Sequence, residues 1–120
     1  ADAVRSAPLQ RQLALLRAHP ELGARQRLTA ASAAEQRGAG LDRLDDARQA
    51  AFEEGNRAYR ARFGFPFIIA VKGRQPAEVL QALRARLGRS AAEERAAAIE
   101  EVLTIAGLRL DERLGEGDRA

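Results

Sequence analysis

Phe65-Pro66-Phe67-Ile68-Ile69-Ala70-Val71 is the stretch on which the fold class turns, because it is the one part of the chain that reads as a candidate strand. It is apolar and β-branched but lacks the alternation of a half-buried strand, so periodicity leaves open both a buried strand and an extended wall. Pro66 has no N–H to give to a ladder, which argues against a central strand, and no other segment offers a convincing pairing partner. Extended back to Phe63, the run is still far shorter than the roughly 20 residues that a membrane-spanning helix needs. No signal-peptide pattern opens the chain, so the expectation is a soluble, cytoplasmic protein with no membrane partner.

Outward from this stretch the chain reads as helix. Upstream, Ala47, Ala51, Phe52, Ala58, Tyr59 and Phe63 recur at helical intervals between Asp45 and Arg62, and Gly64 supplies a C-terminal stop. Downstream, Pro76 opens a helix with Val79, Leu80, Leu83 and Leu87 on one face, ended by Gly88. Ser90 and Glu93 have capping-box spacing, ahead of a helix carrying Ile99, Val102, Leu103, Ala106 and Leu110 to about Leu114, with a frayed tail from Gly115 to Ala120. Nearer the N-terminus, Ser6 reads as a cap with Pro8 in the first turn of a helix bearing Leu9, Leu13 and Leu16, which ends near His19 because Pro20 disfavours the α conformation before it. Residues Leu22 to Leu28 read as a loop, and Ser32-Ala33-Ala34-Glu35 has capping-box spacing for a short helix interrupted by Gly38 and Gly40. The expected architecture is all-α: a single-domain irregular helical bundle over residues 1–120, with a short extended apolar segment.

Composition supports a folded chain, since 46% of the 120 residues are hydrophobic and 31% charged. There is no cysteine and one histidine, which excludes a disulfide framework and a thiolate metal site and leaves a histidine metal centre unexpected. The net charge of +3 raises nucleic-acid binding. Arginine and acidic residues alternate instead of forming a basic stripe, so no specific nucleic-acid partner is expected, although a helical nucleic-acid or protein interaction module stays open as an alternative. A basic protein of this kind attracts a small anionic substrate.

Short motifs stand in order along the chain: Ala18-His19-Pro20-Glu21-Leu22, Ser32-Ala33-Ala34-Glu35-Gln36, Ala39-Gly40-Leu41-Asp42, Asn56-Arg57-Ala58-Tyr59, Arg62 through the apolar run to Lys72-Gly73, and Leu108-Arg109-Leu110. Together they resemble the 2-oxo-4-hydroxy-4-carboxy-5-ureidoimidazoline (OHCU) decarboxylases over roughly residues 9 to 114. That resemblance implies packed helices and a cleft for a small anionic ureidoimidazoline. It also implies loss of carbon dioxide to give (S)-allantoin in urate breakdown without metal or organic cofactor, and a homodimer. Family members usually carry a further segment before the equivalent of Leu9, which this chain lacks or has been trimmed of, so an inactive truncated relative is a further alternative.

The resemblance makes His19 and Glu35 catalytic and gives substrate contacts to Pro20, Ser32, Gln36, Phe67, Ile68, Ile69 and Arg109. An imidazole titrates near neutral pH and suits the protonation that follows carbon dioxide loss; from the residues alone, a helix-end histidine bonding a nearby carbonyl is the plainer reading. Glu35 and Gln36 suit ureido and ring N–H and C=O groups, while spacing alone makes Glu35 the partner of Ser32 in a capping box. The planar fork of Arg109 suits carboxylate or paired carbonyl oxygens; otherwise it is a solvated helix arginine. Phe67, Ile68 and Ile69 would form a water-poor wall passing backbone groups along the substrate. Lys72 reads as solvated, and the resemblance gives no support to Schiff-base chemistry there.

Overall fold

The computed structural model describes residues 2–23 and 29–119. Its helices are α1 (Asp2–Arg5), α2 (Leu9–Arg17), α3 (Ala30–Gly38), α4 (Asp46–Phe63), α5 (Pro76–Arg86) and α6 (Ala91–Arg119), and among the described residues there is no strand. The all-α expectation holds, and residues 65–71 form an extended wall. Residues 24–28 of the expected loop lie outside the described residues; Leu22 and Gly23 form a turn.

The central helix α4 starts and stops for the reasons its sequence suggests. The Asp45 carboxylate accepts the Arg48 N–H at 2.7 Å, and Gly64 takes the left-handed conformation, φ 81°, as the C-cap. Phe52 and Tyr59 are buried on its inner face, while Ala47 and Ala58 are exposed. α5 packs on α4, with Val79, Leu80 and Leu83 buried and Leu87 partly so.

α6 packs on α1, α2 and α4. Ser90 and Glu93 close a reciprocal capping box at 3.1 Å in each direction. The buried face of α6 differs from the expected one. Leu110 is 57% exposed and Ala106 exposed, whereas Glu94, Ala98, Val102 and Ile105 are buried, as is Ile99. The true stripe steps by four, four and three residues through 94, 98, 102 and 105, and a buried polar residue at its head hides it from a hydrophobicity count. The backbone stays helical to Arg119, beyond the fraying expected from Gly115, since glycine weakens a helix without ending it.

Two expected helix starts are corrected. Pro8, not Ser6, is the N-cap of α2, with φ −55° and ψ 148°. The short α1 ends just before, so the chain turns through residues 6–8, and Gln12 reaches back to the Val4 and Arg5 carbonyls at 3.1 and 3.0 Å. α3 begins earlier than expected: the hydroxyl of Thr29 accepts the Ser32 N–H at 3.2 Å, which makes Thr29 the N-cap. Ser32 and Glu35 therefore make no capping box, and their side chains are available elsewhere.

Candidate functional site

Sequence places His19 just beyond α2, where Pro20 stops the helix. The ring nitrogen Nδ1 lies 3.0 Å from the Leu15 carbonyl oxygen, so the plain reading of a helix-end histidine is correct as geometry. The next residues have no helix or strand to hold them, and amide side chains do so instead. Gln36 accepts the Gly23 N–H at 3.1 Å and donates to the Glu21 carbonyl at 3.4 Å. Asn56 donates to the Leu22 carbonyl at 2.8 Å, and Gln49 to the Gly23 carbonyl at 2.6 Å. Gly23 has φ 72°, and a Cβ there would lie 3.0 Å from Leu44 and 3.3 Å from Phe52, so only glycine suits this turn.

From the opposite side, α6 brings Arg109 to α3. Its Nη2 and Nε donate to Glu35 Oε1 at 2.5 and 3.1 Å, and Nη2 also reaches Ser32 Oγ at 3.4 Å. The side chains are 37% and 28% exposed, so the pair keeps partial access to solvent and to a ligand. This contact, not helix capping, occupies Ser32 and Glu35.

The extended segment closes the site. Phe65 to Ile69 and Val71 are buried although their backbone pairs with no strand. Side chains substitute for a ladder: Arg86 donates to the Ile68 carbonyl at 3.1 Å, Glu101 accepts the Ala70 N–H at 3.0 Å, and Arg74 donates to the Ala70 carbonyl at 3.0 Å. Among the described residues, the N–H and C=O of Ile69 have no partner.

These elements surround one open cleft, lined by His19, Pro20, Leu22, Ser32, Glu35, Gln36, Phe67, Ile68, Ile69, Val71, Ile105 and Arg109. Every candidate site residue read from the sequence lines it. Gln36 does so with its amide already bonded to the Glu21–Gly23 turn. Sequence reasoning did not single out Leu22, Val71 or Ile105. Leu22 and Val71 stand inside the quoted motifs, and Ile105 precedes Arg109 by four residues, on the same helix face. Lys72 is exposed and 3.7 Å from Glu112 rather than in this cavity. Among the described residues no cluster of His, Asp and Glu is placed to hold a metal ion, and no helix is long and apolar enough to cross a membrane.

The cavity is apolar on the wall side and carries an imidazole, a carboxylate–guanidinium pair and a hydroxyl on the other. It can therefore take a small polar molecule with N–H and C=O edges and move a proton at one point.

The sequence profile of OHCU decarboxylase matches residues 1–111. A 2-oxo-4-hydroxy-4-carboxy-5-ureidoimidazoline decarboxylase of Haloferax volcanii is 48% identical over 111 residues, which is 92% of this chain and 66% of that protein. A relative of the same name from Halalkalicoccus jeotgali is 47% identical over 112 residues, covering 93% of this chain and 64% of that one. The chain thus spans just under two thirds of the length of these curated relatives. A crystal structure of OHCU decarboxylase in the presence of (S)-allantoin superposes with a TM-score of 0.79 at 28% identity, over 95% of this chain and 75% of that chain. With the profile match running nearly end to end, this chain belongs to the OHCU decarboxylase family.

Proposed function

We propose that this chain decarboxylates 2-oxo-4-hydroxy-4-carboxy-5-ureidoimidazoline, releasing carbon dioxide and (S)-allantoin. The observation that carries the reading is the convergence of His19, Glu35 and Arg109, from the turn after α2 and from α3 and α6, on one cavity closed by the Phe67–Ile69 wall.

In the reaction the bond from ring carbon to carboxylate breaks, its electron pair is delocalised into the ring system, and the ring is reprotonated on one face. His19 is held from behind by Leu15, and its ring supplies or directs that proton. Arg109 and Glu35 together offer donors beside an acceptor, a pattern that fits the C=O and N–H groups of a ureido or ring amide. An arginine holding only the departing carboxylate would stabilise the reactant and slow its loss. With much of its charge engaged by Glu35, Arg109 is better suited to orient ring or ureido oxygens. The apolar wall strengthens these electrostatics by excluding water.

The test generates the unstable substrate in situ from urate and follows circular dichroism for optically active allantoin. Rapid formation of one hand with the protein, against slow racemic formation without it, is the expected result; equal rates with a folded sample would refute the reading.

We also propose a homodimer. Support comes from the exposed leucines of α2 and α6, with Leu9, Leu110 and Leu114 at 50%, 57% and 60% exposure. Light scattering giving the mass of one chain would refute it.

A further inference from the structure

Against the wall, and outside the cavity lining, is a buried ion pair that the chemistry above does not use. Glu94 is fully buried and the Arg86 side chain 11% exposed, with Nε donating to Glu94 Oε1 at 2.5 Å. Tyr59 donates to the same oxygen at 2.7 Å. These residues also grip the wall. Arg86 Nη1 donates to the Ile68 carbonyl, its guanidinium lies 4.9 Å from the Phe67 ring centre, and the Tyr59 ring meets Phe67 edge-on at 5.3 Å. None of the three lines the cavity, although Phe67 and Ile68 do.

The consequence follows from the planar trans peptide, which aims a carbonyl and the next N–H in opposite directions. Arg86 draws the Ile68 carbonyl toward the ion pair, so the Ile69 N–H points away from it. Glu101 likewise holds the Ala70 N–H, so the Ile69 carbonyl points away from Glu101. Both groups lack a partner among the described residues, as do those of Phe67, but at Ile69 the far end of each flanking peptide is held by a side chain, Arg86 on one and Glu101 on the other.

We propose that Arg86, locked by Glu94 and Tyr59, is a positioning residue that turns the Ile69 peptide edge toward the cavity, where its N–H and C=O meet a ureide edge of the ligand. This rests on the decarboxylase reading for the identity of the ligand. A buried pair present for fold stability alone would affect the amount of folded protein and leave the affinity of the folded fraction unchanged.

The test is Arg86→Lys, which keeps a cation beside Glu94 and removes the fork that also reaches Ile68. Its KM should rise about tenfold, as for one misaligned hydrogen bond, with kcat within about threefold of wild type. Tyr59→Phe keeps the ring packing and frees one Glu94 contact; a KM rise of about threefold is expected, and this variant decides the matter if the lysine variant does not fold. Unchanged KM in the deciding variant, with an active wild type, overturns the positioning role alone. Titration of (S)-allantoin into isotope-labelled protein separates the two readings: the Ile69 amide resonance should move in wild type and stay still in Arg86→Lys. If wild type turns nothing over yet shows that pattern, the decarboxylase reading fails and the positioning role stands. If it shows neither turnover nor the shift, both fall.

Discussion

His19 Nδ1 lies 3.0 Å from the main-chain oxygen of Leu15, one turn back on α2. A carbonyl can only accept, so the neutral ring carries its proton on Nδ1 and leaves Nε2 as the atom that gains and loses one. His19→Asn should lower kcat by about 10²- to 10⁴-fold, the range of a lost proton-transfer group, while the thermal transition stays close to wild type. Near-normal turnover in that variant would remove His19 from the chemistry, and nitrogen NMR showing the Nε2–H tautomer at high pH would contradict the geometry.

Capping and ligand contact are separable on α3, because Thr29 does the first and Glu35 is engaged with Arg109. Thr29→Ala should destabilise the fold by about 1 kcal/mol and leave the affinity for (S)-allantoin unchanged. Glu35→Gln should do the reverse, with little change in Tm and an affinity loss of about tenfold. Calorimetric melting and isothermal titration on both variants check the crossover, and equal affinity in Glu35→Gln and wild type would leave Glu35 a structural role only.

Burial, reinforced by the hydrogen bond to Glu94, pushes the ionisation of Tyr59 above the usual tyrosine range. An unfolded chain ionises this phenol near pH 10, before the folded chain does. The folded state therefore binds more protons above that pH. The Tyr59 contribution is fully present below about pH 10 and is lost as pH rises further, giving an alkaline fall in stability. In Tyr59→Phe the fall should be shallower, as read by urea midpoints at a series of alkaline pH values. A wild-type slope retained in the variant would assign the fall to other groups.

The helix order was legible because its signals are local: Asp45 and Gly64 bound α4, Ser90 and Glu93 open α6, and Pro66 denies residues 65–71 a place in a sheet. The cavity lining was legible through motif resemblance, which carries the outcome of packing without its cause. What stayed hidden is long-range and polar. Asn56 looks like a surface residue within an arginine-rich helix, yet it is buried with its amide on Leu22, and Glu94 looks like one more first-turn acid. Leu22 lies 34 residues from Asn56, and Glu94 meets Tyr59, 35 residues away, and Arg86 on another helix, so no periodicity within a helix announces these contacts. The capping box read at Ser32 and Glu35 failed for a local reason, since Thr29 offered a hydroxyl one turn earlier.

The stripe of α6 that begins at buried Glu94 also carries Ile105 and Arg109. With about 1.5 Å of rise and about 100° of turn per residue, the helix fixes both the separation and the relative heading of these side chains. Residues between them on the outer face can change freely, but adding or deleting one would swing Arg109 away from Glu35 while Glu94 stayed on Arg86. The interval from 94 to 109 is therefore a gauge length: drift by substitution is cheap there, and drift by insertion is closed.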